Sequence, residues 1–210
     1  MPPQIVLIRH AQALHNSLLC RFGHVPARDV AVIVSPMLRT LQTASLALDW
    51  LVERGVKFEA SADWQETSSK PCDTGSQSPT TLVTLFPHVL FDDLDPIWPD
   101  KTSPSAHRYH HTRRAIVKRG RLCLETLHQR PEKLVIVVSH SGFLRVGVTG
   151  RWFMNADYRV FEFQHGLEDG RRVIRQDEST SEGGLGLSFA ETVPLGHHLP
   201  EEHVQEDATS

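Results

Sequence analysis

Two histidines, two arginines and several carboxylates recur along this 210-residue chain, each just past a run of residues that reads as a β-strand. Arg9-His10-Ala11 follows the apolar run Ile5-Val6-Leu7-Ile8, with Asn16 a little downstream. Ser35-Pro36-Met37-Leu38-Arg39-Thr40 follows Ala31-Val32-Ile33-Val34. Glu66 comes after a candidate strand over 57–62, and Ser139-His140-Ser141-Gly142 closes the strongest apolar run, Leu134 to Ser139. Carboxyl ends of parallel strands lie side by side, so distance in sequence does not keep these groups apart. The set suits phosphoryl transfer. Planar guanidinium groups on Arg9 and Arg39 can hold phosphate oxygens in paired hydrogen bonds and stabilise the charge that spreads over them. A neutral imidazole can attack phosphorus in line, and water then cleaves the phosphohistidine. A carboxyl group can protonate the departing oxygen and later deprotonate that water. Glu66 stands in a suitable place, but Glu59, Asp63 and Asp73 are neighbouring acids that charge alone does not exclude. No step needs a metal or other cofactor.

The elements that must position these groups alternate between strand-like and helix-like patterns. After the second strand, Leu38, Leu41, Ala44, Leu48 and Leu51 recur at helical spacing from Met37 to about Arg54, with Pro36 suited to a first turn and Gly55 a natural stop. Residues 71–79 read as loop, and Ser78-Pro79 opens a short helix through Phe86. The proline-rich stretch 92–105 has no period and reads as an irregular excursion. From about Ser105 to Gln129, Ile116, Cys123, Leu124 and Leu127 share one helical face, and Pro131 ends that helix. The fully apolar run Leu134 to Ser139 suits a central parallel strand. Phe161-Glu162-Phe163 alternates as an outer strand does. The pattern predicts an α/β fold: a three-layer α/β/α sandwich around a mostly parallel sheet. One domain is expected over 1–175, followed by a polar, acidic and poorly ordered tail over 176–210.

Composition narrows the partners. A formal net charge of −3 gives no general attraction to nucleic acid or to an anionic membrane, so an anionic ligand must be held by a local cluster. The apolar run at Ile5–Ile8 is too short for a signal peptide's core and no stretch approaches membrane-spanning length. Three scattered cysteines, Cys20, Cys72 and Cys123, form neither a disulfide framework nor a paired metal motif, which favours a reducing, cytoplasmic setting. Cys72 reads as inert, with only Lys70 as a basic neighbour. His107, His110 and His111 with Arg108, Arg113 and Arg114 read as a solvated basic helix face rather than a metal site, because no cysteine or acidic ligand accompanies them. The same face is also suited to recruiting an anionic substrate.

At the residues singled out above, the chain resembles the histidine phosphatase superfamily, the phosphoglycerate mutase-like proteins. Ile8-Arg9-His10 with His15-Asn16, Ser35 to Ala44, Gln65-Glu66 and Ser139-His140-Ser141-Gly142 carry the likeness, in this order. Pro71 to Ser76 and Trp152 to Arg159 look most like the small fungal members. The resemblance implies His10 as nucleophile, Glu66 as proton donor, and Arg9, Arg39 and His140 around the phosphate. It places Asn16 at a phosphate-contacting position and gives His140 a share in stabilising the transition state. Ser141, near a helix start, is expected to offer its backbone N–H to the phosphate. The expected substrate is a small phosphomonoester and the expected reaction its hydrolysis. A mutase is the second reading, and a non-catalytic binding or biosynthetic accessory protein the third.

The chain departs from the family after its first motif. Only 17–30 separate Asn16 from the second strand, close to the minimum for a parallel crossover. Much of the first crossover helix is therefore expected to be missing, uncovering sheet surface and loosening the wall beside His10.

Overall fold

The computed structural model describes residues 1–10, 15–168 and 170–201. A seven-stranded sheet carries the chain in the order β4-β3-β2-β5-β1-β6-β7. Its strands are β1 (Gln4–Arg9), β2 (Val30–Val34), β3 (Phe58–Ala60), β4 (Val89–Leu90), β5 (Leu134–Ser139), β6 (Tyr158–Glu168) and β7 (Arg171–Gln176). The first five run parallel, and β6 and β7 are antiparallel additions at one side. Alternation along the central strands supplies two cores. Val6, Ile8, Val32, Val34 and Ile136 face α1 (His15–Phe22), α2 (Leu38–Ala47), α3 (Asp49–Glu53) and α4 (Pro79–Leu85). Ile5, Leu7, Ile33, Val135 and Val137 face α5 (Arg113–His128) and α6 (Ser141–Phe143), which runs on into a π-helical turn, Leu144–Thr149. The protein is thus the expected α/β sandwich with a mostly parallel central sheet.

The short first crossover does not uncover the sheet. Leu18 and Phe22, one helical turn apart in α1, are buried in the core that holds Val6 and Ile8, and both strand residues are fully buried. One short helix with two large apolar anchors is sufficient because the strand it covers is only six residues long.

Several elements differ from expectation for local reasons. The helix foreseen from Met37 to Arg54 is two helices. Leu48 leaves helical geometry at φ −123°, ψ 22°, and Trp50 N–H turns to Asp49 Oδ1 at 2.6 Å, restarting the chain as α3. The helix foreseen from Ser105 is a 3₁₀ turn, Pro104–Tyr109, followed by α5, whose start is set by Thr112 capping the Ala115 N–H at 3.3 Å. The expected basic face is spoken for at several points: Arg108 pairs with Asp63, Arg113 with Glu201, and the rings of His110 and His111 lie against the carbonyls of Ser103 and Thr67. Ser78 caps α4 through the Thr81 N–H, as its Ser-Pro sequence predicts.

Phe161–Phe163 belongs to a longer strand that is not the outer one, since β6 lies between β1 and β7. Strand β7, Arg-Arg-Val-Ile-Arg-Gln, has an arginine-rich edge composition rather than apolar alternation, which hid it. The expected boundary at 175/176 falls inside this strand. Beyond it, 177–201 is a packed segment: Val193 N–H donates to Gly150 O, Gly196 N–H to Val146 O and Arg113 N–H to Pro200 O, each at 2.8 Å. Residues 202–210 lie outside the described residues. Among the described residues no helix is long and apolar enough to cross a membrane.

Candidate active site

Strand register brings the two histidines together. Arg9 is opposite Ser139 and Val34 opposite Val138. His10 N–H then donates to Ser139 O, and Ser35 N–H to Val138 O, each at 3.0 Å. His10, His140 and Ser35 therefore leave adjacent strands at one level, and the two imidazole rings sit 5.2 Å apart. Helix α6 begins directly after His140, and α2 begins three residues after Ser35. Thr40 Oγ1 donates to Ser35 O at 2.7 Å and Met37 O at 2.6 Å, fixing the turn that delivers Arg39 from the start of α2.

Arg39 is the hub. Its Nε–H is shared between His10 Nε2 at 3.1 Å and His140 Nδ1 at 3.2 Å, and its Nη2 also meets His140 Nδ1 at 3.0 Å. On the outer side Nη1 donates to the Cys72 carbonyl and Nη2 to Asp73 Oδ1 at 3.2 Å. A guanidinium only donates, so both ring nitrogens facing it must carry lone pairs. That assigns the ring proton of His140 to Nε2, which donates to Ser35 Oγ at 2.8 Å, and the ring proton of His10 to Nδ1. Burial, with Arg39 and Arg9 adding to it against Asp73, pushes His10 down to about 4. Burial, followed by Arg39 and His10, holds fully buried His140 well below the usual imidazole range. Both rings are neutral at neutral pH, with His10 Nε2 a free base against a cation.

Arg9 and Ser141 converge on one acceptor. Arg9 Nη1 donates to Phe153 O at 2.8 Å and Ser141 Oγ donates to the same carbonyl at 3.0 Å. Among the described residues the buried Arg9 Nε has no hydrogen-bond partner, which leaves it a donor for a ligand. Asn16, expected at the phosphate, has its side chain outside the described residues.

The four candidate carboxylates separate clearly. Glu59 takes Arg130 in a bidentate pair at 2.9 and 2.7 Å, and Asp63 pairs with Arg108. Asp73 belongs to the Arg39 cluster, with Oδ2 accepting from Ser68 Oγ at 2.6 Å. Glu66 alone reaches the turn after His140. Its Oε1 accepts from Thr67 N–H at 2.8 Å and Phe143 N–H at 2.9 Å, and its Oε2 from Gly142 N–H at 3.2 Å. Gly142 permits this seat: a Cβ there would stand 2.5 Å from Glu66 Oε1.

Arg39 thus joins His10 and His140, Arg9 and Ser141 share the Phe153 carbonyl, and Glu66 sits on the amides of the turn that follows His140. Sequence reasoning missed Lys101, whose buried ammonium binds main-chain carbonyls beside Glu66; it lies in the aperiodic stretch 92–105, where no local pattern marks it. Ser35 and Asp73 were visible only as a motif member and as a rival acid. The Phe153 carbonyl has no side-chain signature at all.

The family profile described as histidine phosphatase superfamily (branch 1) matches residues 17–167. A search of curated proteins finds no match. Similar solved structures include a mutant phosphoserine phosphatase from Entamoeba histolytica in complex with phosphoserine, at 14% identity and TM-score 0.46, covering 84% of this chain and 98% of that one. Another is described as mycobacterial hydrolase 2, at 17% identity and TM-score 0.39, covering 84% of this chain and 90% of that one. With its profile match spanning well over half of the sequence, the chain belongs to the histidine phosphatase superfamily.

Proposed function

We propose that this protein is a metal-independent phosphatase that hydrolyses a small phosphomonoester through a phosphohistidine on His10. The single observation that carries the reading is Arg39, clamped between the lone pairs of two neutral imidazoles. A phosphoryl group entering this cluster exchanges the ring-nitrogen contacts of Arg39 for charge-assisted bonds to its oxygens. It also meets Arg9 Nε, which has no partner among the described residues, and the turn that begins at Ser141.

His10 Nε2 attacks phosphorus as the bond to the ester oxygen breaks, and the departing oxygen takes a proton from Glu66. Oε2, which carries only the 3.2 Å contact, is the oxygen suited to hold that proton. Water then attacks phosphorus and returns a proton to Glu66 while the N–P bond breaks. The balance is ester plus water giving alcohol plus inorganic phosphate. Arg9 and Arg39 stabilise the charge on the equatorial oxygens in both steps, and His140 joins them by taking up a proton at Nδ1 as the anionic phosphoryl group draws Arg39 away; Asn16 is assigned to the same oxygens. Free Cys20, Cys72 and Cys123 support a reducing, cytoplasmic setting.

The test is release of phosphate from an aryl phosphate in EDTA by wild type, His10→Ala and His140→Ala. Wild-type turnover persists in EDTA, and His10→Ala loses about a thousandfold or more. Acid-labile phosphate is trapped on His10 from wild type alone. Equal background in all three proteins sinks the phosphatase reading, and label trapped on another residue sinks the choice of nucleophile.

A further inference from the structure

The segment 66–73 carries Glu66 at one end and Asp73, the partner of Arg39, at the other. It has no regular structure apart from the 3₁₀ turn Pro71–Asp73, yet its carbonyls converge. Lys101 Nζ lies 2.8 Å from Glu66 O, 2.9 Å from Ser68 O and 2.6 Å from Asp73 O. The lysine is only 3% exposed and its hydrogen bonds go to main-chain oxygens rather than to a carboxylate. An ammonium is the side-chain group that presents three donors from one atom, and these carbonyls occupy all three. Burying such a charge with no carboxylate in direct hydrogen-bond contact is costly, and the three carbonyls are what offset it.

We infer that Lys101 is a positioning residue: its ammonium gathers the 66–73 segment so that Glu66 is seated on the turn after His140 and Asp73 is held against Arg39. The inference rests on the phosphatase reading for its meaning, although the clamp itself is observable without turnover. Arg119 supports the same segment from the α5 side, donating to Gln65 O at 3.0 Å. His111 closes on Thr67 O at 3.1 Å. The groups whose charge Lys101 meets are Arg119, Glu66, Asp73 and Arg39. Burial, then Arg119, pushes Lys101 down to about 7, opposed by Glu66 and Asp73. Loss of its proton removes one of three donors, so the clamp slackens as pH rises through that value.

The experiment uses the full chain, wild type and Lys101→Met, with two readouts. The first is hydrogen exchange at the Thr67, Gly142 and Phe143 amides, which point at the Glu66 carboxylate. In Lys101→Met these three lose protection about tenfold or more relative to β5 amides. In wild type the same loss appears, after correction for intrinsic rate, as pH rises above about 7. The second readout is turnover of an aryl phosphate with a weakly basic leaving group against an alkyl phosphate with a strongly basic one. Misplacing the proton donor lowers kcat about tenfold to a hundredfold for the alkyl ester and much less for the aryl ester. Glu66→Gln shows the same asymmetry, and adding Lys101→Met to it costs little more.

Unchanged protection overturns the inference, as does a uniform loss across β5 or an equal loss of turnover on both esters. If Lys101→Met does not fold, Lys101→Gln, which keeps two donors of the three, decides by the same two readouts. Inactive wild type with a pH-dependent clamp would overturn the phosphatase reading and leave the clamp standing.

Discussion

Arg39 and Arg159 are both partly or wholly enclosed arginines, and they are held in opposite ways. Arg159, fully buried, directs Nε and Nη2 to Trp152 O at 3.0 and 2.8 Å, Nη2 to Phe189 O at 2.6 Å, and Nη1 to Thr180 O and Ser181 O at 3.2 and 2.7 Å. Beside it Asp157 accepts from the N–H groups of Tyr158, Leu185 and Leu187 and from Ser188 Oγ. Every partner of Arg159 itself is a main-chain carbonyl, which cannot turn away to meet a ligand. Arg39 instead faces two imidazole lone pairs and one carboxylate, with its side chain 29% exposed. Saturation by fixed carbonyls makes a staple that binds 177–189 to the sheet, whereas exchangeable partners at an open edge make a binding device.

Single substitutions should separate the two regions, and the largest effect is expected at the hub. Arg39→Ala removes the bridge between the histidines and lowers kcat/KM about a thousandfold, roughly 4 kcal/mol of transition-state stabilisation, with little change in the melting temperature. Asp157→Ala strands three N–H groups and a hydroxyl and costs about 3 kcal/mol of stability by urea unfolding, while kcat per folded molecule stays within about threefold of wild type. A loss of turnover at Asp157 as deep as that at Arg39 would merge the regions into one machine.

The third effect is smaller and is largest at the histidine pair. The folded-state pKa of His10 lies near 4, below an unfolded value of about 6.5, and His140 is shifted in the same direction. The unfolded chain therefore binds more protons across that window, and stability falls as pH falls. Allowing for partial solvent screening, His10 accounts for about 2 kcal/mol between pH 6.5 and 4. His10→Ala should flatten that part of the urea-measured stability profile, and Asp157→Ala should leave its slope unchanged. An unaltered slope in His10→Ala places the titration elsewhere.

The sequence is most legible where side chains act locally along one strand or helix. The apolar run before Arg9-His10 and the still longer one before His140 identify central strands, and parallel pairing makes their polar exits converge. Arg39 follows from the same logic at β2. Glu66 needed the family resemblance, because four acids crowd that region and only three-dimensional pairing sorts them: Glu59 goes to Arg130, Asp63 to Arg108 and Asp73 to Arg39. Lys101, the Phe153 carbonyl and the packed 177–201 segment depend on partners far away in sequence, and their own neighbourhoods carry no period. Polar composition after Gln176 resembles a tail because its stabilising groups, Asp157 and Arg159, lie upstream.

The sheet order also bears on how the molecule is made. Strand β5 lies between β1 and β2, pairing Leu134 with both Gln4 and Val30. Until Leu134–Ser139 has left the ribosome, β1 and β2 have no ladder to share, and His10 and Arg39 belong to separate fragments. Such distant closure gives a high contact order and slow assembly, with apolar strand edges of the first 133 residues exposed in the interim. The candidate site is therefore a late product of synthesis, and its appearance reports the insertion of β5 between β1 and β2.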